Sequence, residues 1–329
     1  MEHAALQGSG PLVVLPLVPV ASSLLGGLER SGCVVLQAGD GAAGAVTRLA
    51  GDQFAPADLA GVSLVITNGS RGLLAQEMAL LPHLRWVLCT GVGYEGVDVR
   101  AAIVRGIAVS NTPGINGETV ADHAMALLLA VSRNVVALDR LIRDGQWESL
   151  RKPLPAPHGR TLGLLGFGGI GQAIARRARG FGMTVLYTSR SANPDGGADY
   201  VGSLAELACR SDYLVVACPG GASTRHLVNA EILTLLGPTG FLINIGRGSV
   251  VDTAALVDAL KRGRIAGAAL DVFEGEPELP AELVEAPDLI LTPHIAGRSP
   301  QTSAAQQSSL ELYIKRCIEG KTPPNLVHG

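Results

Sequence analysis

An excess of charge of either sign is missing from this chain: 26 basic against 29 acidic side chains leave a net charge of −3. That balance argues against partners that select a basic surface, nucleic acid and anionic membranes among them. A small neutral or anionic partner fits better. Aromatic residues are scarce at 4% while hydrophobic residues reach 47%. The apolar excess is therefore Ala, Val, Leu and Ile, the residues of sheets buried on both faces and of subunit interfaces. Long apolar runs are also lacking, none approaching the about 18 residues of a spanning helix, so a soluble protein is expected. Residues 11–21 come nearest to a leader's apolar region. The first basic residue is Arg30, however, and Pro11, Pro16 and Pro19 interrupt the run, which reads as an opening strand rather than a signal peptide. The five cysteines, Cys33, Cys89, Cys209, Cys218 and Cys317, form no CxxC pair and no cluster with histidines. Reduced core thiols in a cytoplasmic protein are expected, and no metal site is implied.

At 329 residues the chain exceeds the roughly 250–300 residues at which single cores stop growing, so two domains are expected. Short apolar runs alternate with helical stretches throughout, the pattern of an α/β protein with parallel sheets covered by helices. Strand-like runs at 12–18, 33–36, 64–67, 86–90 and 108–110 make a first, small doubly wound unit. A helical pattern over 118–142 is apolar on most of its surface, which predicts a buried helix packing between the domains. A second series follows at 161–165, 184–187, 212–218, 241–245, 268–271 and 289–292, six strands being a full dinucleotide-binding sheet. The tail carries a helical pattern over 303–319 and no further strand. It is expected to return to the first domain, giving domains of 1–111 with 298–329, and of 112–297.

The pattern GxGxxG occurs twice, at Gly39-Asp40-Gly41-Ala42-Ala43-Gly44 and at Gly166-Phe167-Gly168-Gly169-Ile170-Gly171. A phosphate-binding turn requires a strand before it, a helix after it whose first amides face the pyrophosphate, and a second strand about 20 residues on. The first copy lacks that context, reaching another glycine at Gly51. The second follows the 161–165 strand and precedes a helix with Ile170, Ile174 and Ala178 on one stripe. Where an NAD site places a carboxylate, this chain has Thr188-Ser189-Arg190-Ser191. Ser189, Arg190 and Ser191 fit a 2′-phosphate, since guanidinium matches phosphate geometry and no acid repels it. NADP is therefore the expected cofactor, NADPH being preferred over NADH.

Arg247, Asp271, Glu276 and His294 all follow the carboxyl ends of predicted parallel strands, where open α/β sheets bind ligands. These residues, with their surroundings, resemble the D-isomer-specific 2-hydroxyacid dehydrogenases, a family that includes glyoxylate/hydroxypyruvate reductases and hydroxyphenylpyruvate reductases. The resemblance spans nearly the whole chain. It rests on Thr90-Gly91-Val92-Gly93-Tyr94-Glu95-Gly96-Val97-Asp98, Gly117-Glu118-Thr119-Val120-Ala121-Asp122-His123 and the second glycine motif. To these are added Gly246-Arg247-Gly248-Ser249-Val250-Val251-Asp252, Leu270-Asp271-Val272-Phe273-Glu274-Gly275-Glu276-Pro277 and Thr292-Pro293-His294. Arg247 and Glu276 lie 29 positions apart, Glu276 and His294 18, similar to the family's separations.

The resemblance implies a Rossmann cofactor domain, a flavodoxin-like substrate domain and a homodimer around the 118–142 helix, with the site in the interdomain cleft. The implied reaction is reduction of a small 2-oxo acid to the D-2-hydroxy acid. Its proton donor must titrate near neutrality, as histidine does. By the resemblance His294 is acid and base, Glu276 orients it, and Arg247 binds the substrate carboxylate and keto oxygen. Val92 and Gly93 would hold that carboxylate through backbone amides, and Asp271 would bond the nicotinamide carboxamide. Cys218, Pro219, Ile245, Gly246 and Gly297 would line the cofactor. Ser70 and Arg71 fall in the loop resembling the one at the substrate's distal end, and Arg298 stands where many relatives have a small residue. At least one of these two arginines is expected to recognise a larger polar or anionic substituent. Trp147 matches a tryptophan that in some members reaches the partner subunit's site, and a packed interface aromatic explains it equally. Glu276 argues against formate dehydrogenases, which have Gln there, and the short tail argues against phosphoglycerate dehydrogenases with an added regulatory domain. A cofactor-binding redox sensor or corepressor, and a reductase of larger 2-oxo acids such as 2-ketogluconate or aromatic pyruvates, are the alternatives.

Overall fold

Runs of Val, Leu and Ile too short for helices become strands, and the Ala- and Leu-rich stretches between them become the helices that cover them. A computed structural model describes residues 11–36, 54–147, 151–193 and 196–328. In chain order the elements begin with β1 (Val13–Pro16), α1 (Ser22–Arg30), β2 (Val34–Val35), α2 (Pro56–Gly61), β3 (Val62–Thr67), α3 (Ala75–Ala79), β4 (Trp86–Cys89), α4 (Val99–Val104) and β5 (Ala108–Ser110). There follow α5 (Gly117–Ser132), α6 (Val135–Arg143), β6 (Thr161–Leu165), α7 (Gly169–Gly180), β7 (Thr184–Thr188), β8 (Asp199–Tyr200), α8 (Leu204–Cys209), β9 (Tyr213–Val216) and α9 (Ala230–Leu236). Last come β10 (Phe241–Asn244), α10 (Thr253–Lys261), β11 (Gly267–Leu270), α11 (Ala281–Val284), β12 (Leu289–Leu291) and α12 (Pro300–Ile318).

The chain divides into two units, Met1–Ile115 with Ser299–Gly329, and Asn116–Arg298. The first is a five-stranded parallel sheet of order β2-β1-β3-β4-β5, the flavodoxin-like arrangement. Along β4 the side chains alternate between two cores: Val87 and Cys89 join one, Trp86 and Leu88 the other, as the period of two requires. The tail helix α12 supplies Leu310, Tyr313, Ile314 and Cys317 to the second of these cores, and Val327 donates its amide to Val109 at 2.9 Å.

The second unit is a seven-stranded parallel sheet of order β12-β11-β10-β9-β6-β7-β8. Counted from β6 this is the dinucleotide-binding order 3-2-1-4-5-6 with a seventh strand beyond it. Six strands are expected from the sequence; the one missed, β8, is two residues long and pairs with β7 at the edge. On β9, Tyr213 and Val215 face the core shared with α5 and α7, while Leu214 and Val216 face the core shared with α8, α9 and α10.

The single helix expected over 118–142 is two. α5 closes at Arg133, and Asn134, left-handed at φ 50°, breaks the helix before α6 begins. Asn tolerates that conformation better than most residues. The division separates two environments: α5 buries Val120, Ala121, Ala124, Met125, Leu127, Leu128 and Val131, whereas α6 buries nothing. The expectation of core thiols holds at Cys33, Cys89, Cys218 and Cys317 but fails at Cys209, which is exposed at the end of α8. The first glycine motif, 39–44, and Gly51 lie outside the described residues.

Candidate active site

The second glycine motif is built as a phosphate cradle. Gly166, at φ +101°, turns the chain out of β6, and a Cβ there would lie 2.7 Å from the Cys218 nitrogen, so β6 and β9 close up only with glycine. A Cβ on Gly171 would lie 2.5 Å from the Gly166 oxygen, which lets α7 press on the turn, while added atoms at Gly168 and Gly169 would meet open space. Gly168 caps α7 without a side-chain hydrogen bond. The first-turn amides thus gain no side-chain partner from their cap, an arrangement suited to an anion. These residues fit a dinucleotide.

Phe167 stacks on Tyr187 with ring centroids 3.9 Å apart. The Tyr187 hydroxyl accepts from the Asn193 amide at 2.6 Å, so the loop beyond β7 is held against the strand. In that loop Ser189 donates to the Ser191 carbonyl at 2.6 Å, and Arg190 is exposed, with no ion pair among the described residues. Ile245 is buried behind the end of β10, and a Cβ on Gly246 would come within 2.8 Å of the Cys218 carbonyl. Burial pushes the Cys218 thiol up to about 11, and Pro219 follows it into the loop. Gly297 takes the Asn116 side chain, which a Cβ would meet at 2.8 Å.

The carboxyl edge of the same sheet gathers the predicted trio's elements. Arg247 begins the turn after β10 and its guanidinium donates to the Gly246 carbonyl at 2.8 Å. Glu276 follows β11: one oxygen accepts from the Phe273 amide at 2.8 Å, the other from His294 Nδ1 at 2.7 Å. A carboxylate only accepts, so Nδ1 carries the proton of this bond and Nε2 points away from it. His294 follows β12 in the left-handed region, φ 51°, one of the residue types that enters it most readily. Its amide donates to the Asp271 carbonyl at 2.9 Å, and its side chain remains 41% exposed.

Asp271 is almost wholly enclosed. Its Oδ1 accepts from the Thr292 hydroxyl at 2.6 Å and the Ile295 amide at 2.9 Å, and its Oδ2 from the Ala296 amide at 2.9 Å. Burial alone would raise this carboxyl; hydrogen bonds from His123, Thr292 and the two amides outweigh it and hold it at about 2. Thr292 spends its one proton on Asp271, so His123 Nε2, 3.0 Å from the Thr292 oxygen, is the donor of that pair. Among the described residues, Oδ2 accepts a hydrogen bond only from the Ala296 amide and keeps a lone pair. Sequence reasoning gives His123 no role; it stands in the Gly117–His123 run but joins Asp271 only through the fold.

In the first unit, Ser70 is exposed and Val92 accepts from Asn111 Nδ2 at 2.7 Å. The two loops interlock through glycines: a Cβ on Gly69 would meet the Gly93 carbonyl carbon at 2.8 Å, and one on Gly72, φ +59°, the Gly96 oxygen at 1.8 Å. Arg71 is corrected. It is buried, and its guanidinium grips Glu77 at 2.7 and 3.2 Å, while Glu77 also accepts from the Leu74 amide at 2.9 Å. Substrate recognition by Arg71 would have to break this buried pair, which holds the loop's shape. Arg298 is exposed, its amide donating to Ile295 at 2.8 Å, and Trp147 is 61% exposed.

A doubly wound sheet with a glycine cradle at one strand end and a histidine–carboxylate pair at the same edge defines a nicotinamide-dependent dehydrogenase. Residues 125–296 match the model of the D-isomer specific 2-hydroxyacid dehydrogenase, NAD binding domain. The chain belongs to that family, and it is an oxidoreductase of 2-oxo and 2-hydroxy acids. Glyoxylate reductase from Pyrococcus furiosus is 44% identical over 283 residues, 81% of this chain and 82% of that one. Glyoxylate/hydroxypyruvate reductase A of Arabidopsis thaliana is 39% identical over 262 residues, covering 79% and 84%. Among solved structures, the NADPH-dependent glyoxylate/hydroxypyruvate reductase of Sinorhizobium meliloti, in complex with NADP and malonate, is similar at TM-score 0.84 and 37% identity over 97% of both chains. Among the described residues no helix is long and apolar enough to cross a membrane, and no cluster of His, Cys, Asp or Glu is placed to hold a metal.

Proposed function

We propose that this protein reduces a small 2-oxo acid of glyoxylate or hydroxypyruvate size to the D-2-hydroxy acid, using NADPH in preference to NADH. The observation that carries the reading is the 2.7 Å bond from His294 Nδ1 to Glu276. It fixes the ring and leaves Nε2 to give a proton to the carbonyl oxygen. When bound, reduced nicotinamide supplies the hydride. Arg247 binds the substrate's carboxylate and stabilises the negative charge growing on the keto oxygen, and the amides of Val92 and Gly93 are assigned to the same carboxylate. Asp271 holds the carboxamide through its remaining lone pair. Ser189, Arg190 and Ser191 take the 2′-phosphate, a role that the exposed Arg190 and the loop braced by Tyr187 support.

Within this reading Asn116–Arg298 is the cofactor domain and Met1–Ile115 with Ser299–Gly329 the substrate domain. The protein works as a cytoplasmic homodimer. Two-fold pairing is the commonest assembly, and α6 leaves Val135, Val136 and Ile142 53%, 40% and 39% exposed. A monomeric mass in solution would remove the dimer.

The test is steady-state oxidation of NADPH and NADH, side by side, with glyoxylate and with hydroxypyruvate. Turnover that prefers NADPH and falls about 10²–10⁴-fold in His294→Ala is expected. Preference for NADH would overturn the cofactor assignment. No turnover with either substrate would turn the search to larger 2-oxo acids.

A further inference from the structure

Three loops leave the carboxyl edge of the seven-stranded sheet after β9, β10 and β11, and two of them carry Arg247 and Glu276. They are pressed together at the backbone. A Cβ on Gly248 would lie 2.1 Å from the Phe273 carbonyl and 2.6 Å from the Glu274 nitrogen, and one on Gly220 would lie 2.9 Å from the Arg247 side chain. Ladder-like bonds join the first two loops: the His226 amide donates to Ser249 at 2.9 Å, Val228 to Val250 at 3.0 Å and Asp252 back to Val228 at 3.0 Å. Contact of this closeness sets distance but leaves sliding and tilt to the side chains.

Glu274 bridges these loops. Its Oε2 accepts from the Thr253 hydroxyl at 2.8 Å and the Thr253 amide at 3.3 Å, and its Oε1 from His226 Nε2 at 2.8 Å. The Arg225 guanidinium stands 3.6 Å from Oε1, and the Asp252 carboxylate 3.8 Å from His226 Nδ1. Both Glu274 oxygens are thus engaged from outside its own segment, Oε1 by His226 of the loop after β9 and Oε2 by Thr253 at the start of α10. Burial would raise this carboxyl, but the bonds from His226 and Thr253 lower it, so it is held as an acceptor. We infer that Glu274 is a positioning residue of the reduction, tying the loop that bears Arg247, through Thr253, to the segment that bears Glu276. The inference rests on the roles given above to Arg247, Glu276 and His294. Its physical ground is that catalytic groups work only within a narrow geometry, where an error of about 1 Å costs on the order of 10²-fold.

The experiment measures glyoxylate reduction by the full chain with NADPH, as kcat and KM against pH, for Glu274→Gln, Thr253→Val and Thr253→Ser. His294→Ala and Arg247→Ala are run beside them, with NADPH affinity read from its fluorescence on binding. Expected for Glu274→Gln is a fall in kcat/KM of about tenfold or more, a displaced acidic limb of the pH profile and NADPH affinity within about twofold. Thr253→Val reproduces part of that fall, Thr253→Ser restores it, and Glu274→Gln with Thr253→Val loses no more than Glu274→Gln alone. The inference is overturned by kcat/KM within about twofold of the parent, or by an unchanged pH profile with NADPH affinity lost in parallel, the mark of a merely structural role. Should Glu274→Gln not fold, the Thr253 pair decides by the same criteria. If His294→Ala and Arg247→Ala keep full activity, the reading of the site itself fails; if they collapse while Glu274→Gln and Thr253→Val do not, only the tie fails.

Discussion

Two glutamates two residues apart on one loop each hold a histidine from another, and the two pairs differ in what each leaves over. Glu276 holds His294 at 2.7 Å and Glu274 holds His226 at 2.8 Å. Glu276 spends its second oxygen on the amide of Phe273, within its own turn, and among the described residues nothing engages His294 Nε2. Glu274 spends its second oxygen on another loop, and the far nitrogen of His226 faces Asp252. The same two side chains therefore make an open pair and a closed one. The open pair can do chemistry because one nitrogen has no structural duty, whereas the closed pair can only hold. Asp271 with His123 and Thr292 falls between them, closed on three sides with one lone pair left.

The contrast is sharpened most by changing both pairs in the same way. On the proposed reading, in which His294 gives the proton, Glu276→Gln should cut kcat about 10²–10³-fold, since the ring loses its orienting charge, with little change in Tm. His226→Asn should cost under about tenfold in kcat/KM, and its main mark should be a Tm lowered by a few degrees. If the two variants lost activity equally, the distinction between open and closed pairs would be wrong.

Arg71 and Glu77 give the closed case in its extreme form, being 4% and 1% exposed. Arg71→Met leaves a buried carboxylate without its cation and should cost about 3–5 kcal/mol in denaturant unfolding, whereas Arg298→Ala should leave stability unchanged. Equal stability in both variants would reopen a substrate role for Arg71.

The smallest effect belongs to Asp271 and appears only in acid. Its folded value of about 2 lies below the ordinary 3.8, so its stabilisation is present in full above the unfolded value. It is lost as pH falls through the folded one. The contribution is on the order of 2 kcal/mol. Unfolding measured from about pH 5 down to pH 2 should show this loss in the parent, and Asp271→Asn, less stable throughout, should show a flatter profile over that window. Matching profiles would mean that the network does not depend on the carboxylate's charge.

The fold was legible wherever the pattern was local. Each strand of both sheets but β8 announces itself as an apolar run, because parallel strands are covered on both faces, while two residues at an edge leave no period to read. The helix over 118–142 was misread because hydrophobic periodicity runs on through Arg133 and Asn134; the break lies in one backbone angle, which a periodicity does not encode. The places of Arg247, Glu276 and His294 after β10, β11 and β12 were legible in the strand pattern, and the roles proposed for them come from the family resemblance. Arg71 was not, since its partner Glu77 arrives from α3 and decides between solvent, substrate and ion pair. His123 was invisible for the same reason: Asp271 lies 148 positions further along the chain.

The exposure of Cys209 turns a departure from expectation into a handle. Thiol reagents attack the thiolate. Burial pushes Cys89 and Cys317 up to about 12 and Cys218 up to about 11, and raises Cys33. All four are also shielded from a bulky reagent, while Cys209 faces solvent just before β9 begins. A maleimide dye on the native protein should therefore go to one place, at the amino edge of the seven-stranded sheet. The label then leaves the opposite edge chemically intact, and the folded chain carries a single-site fluorophore without any substitution.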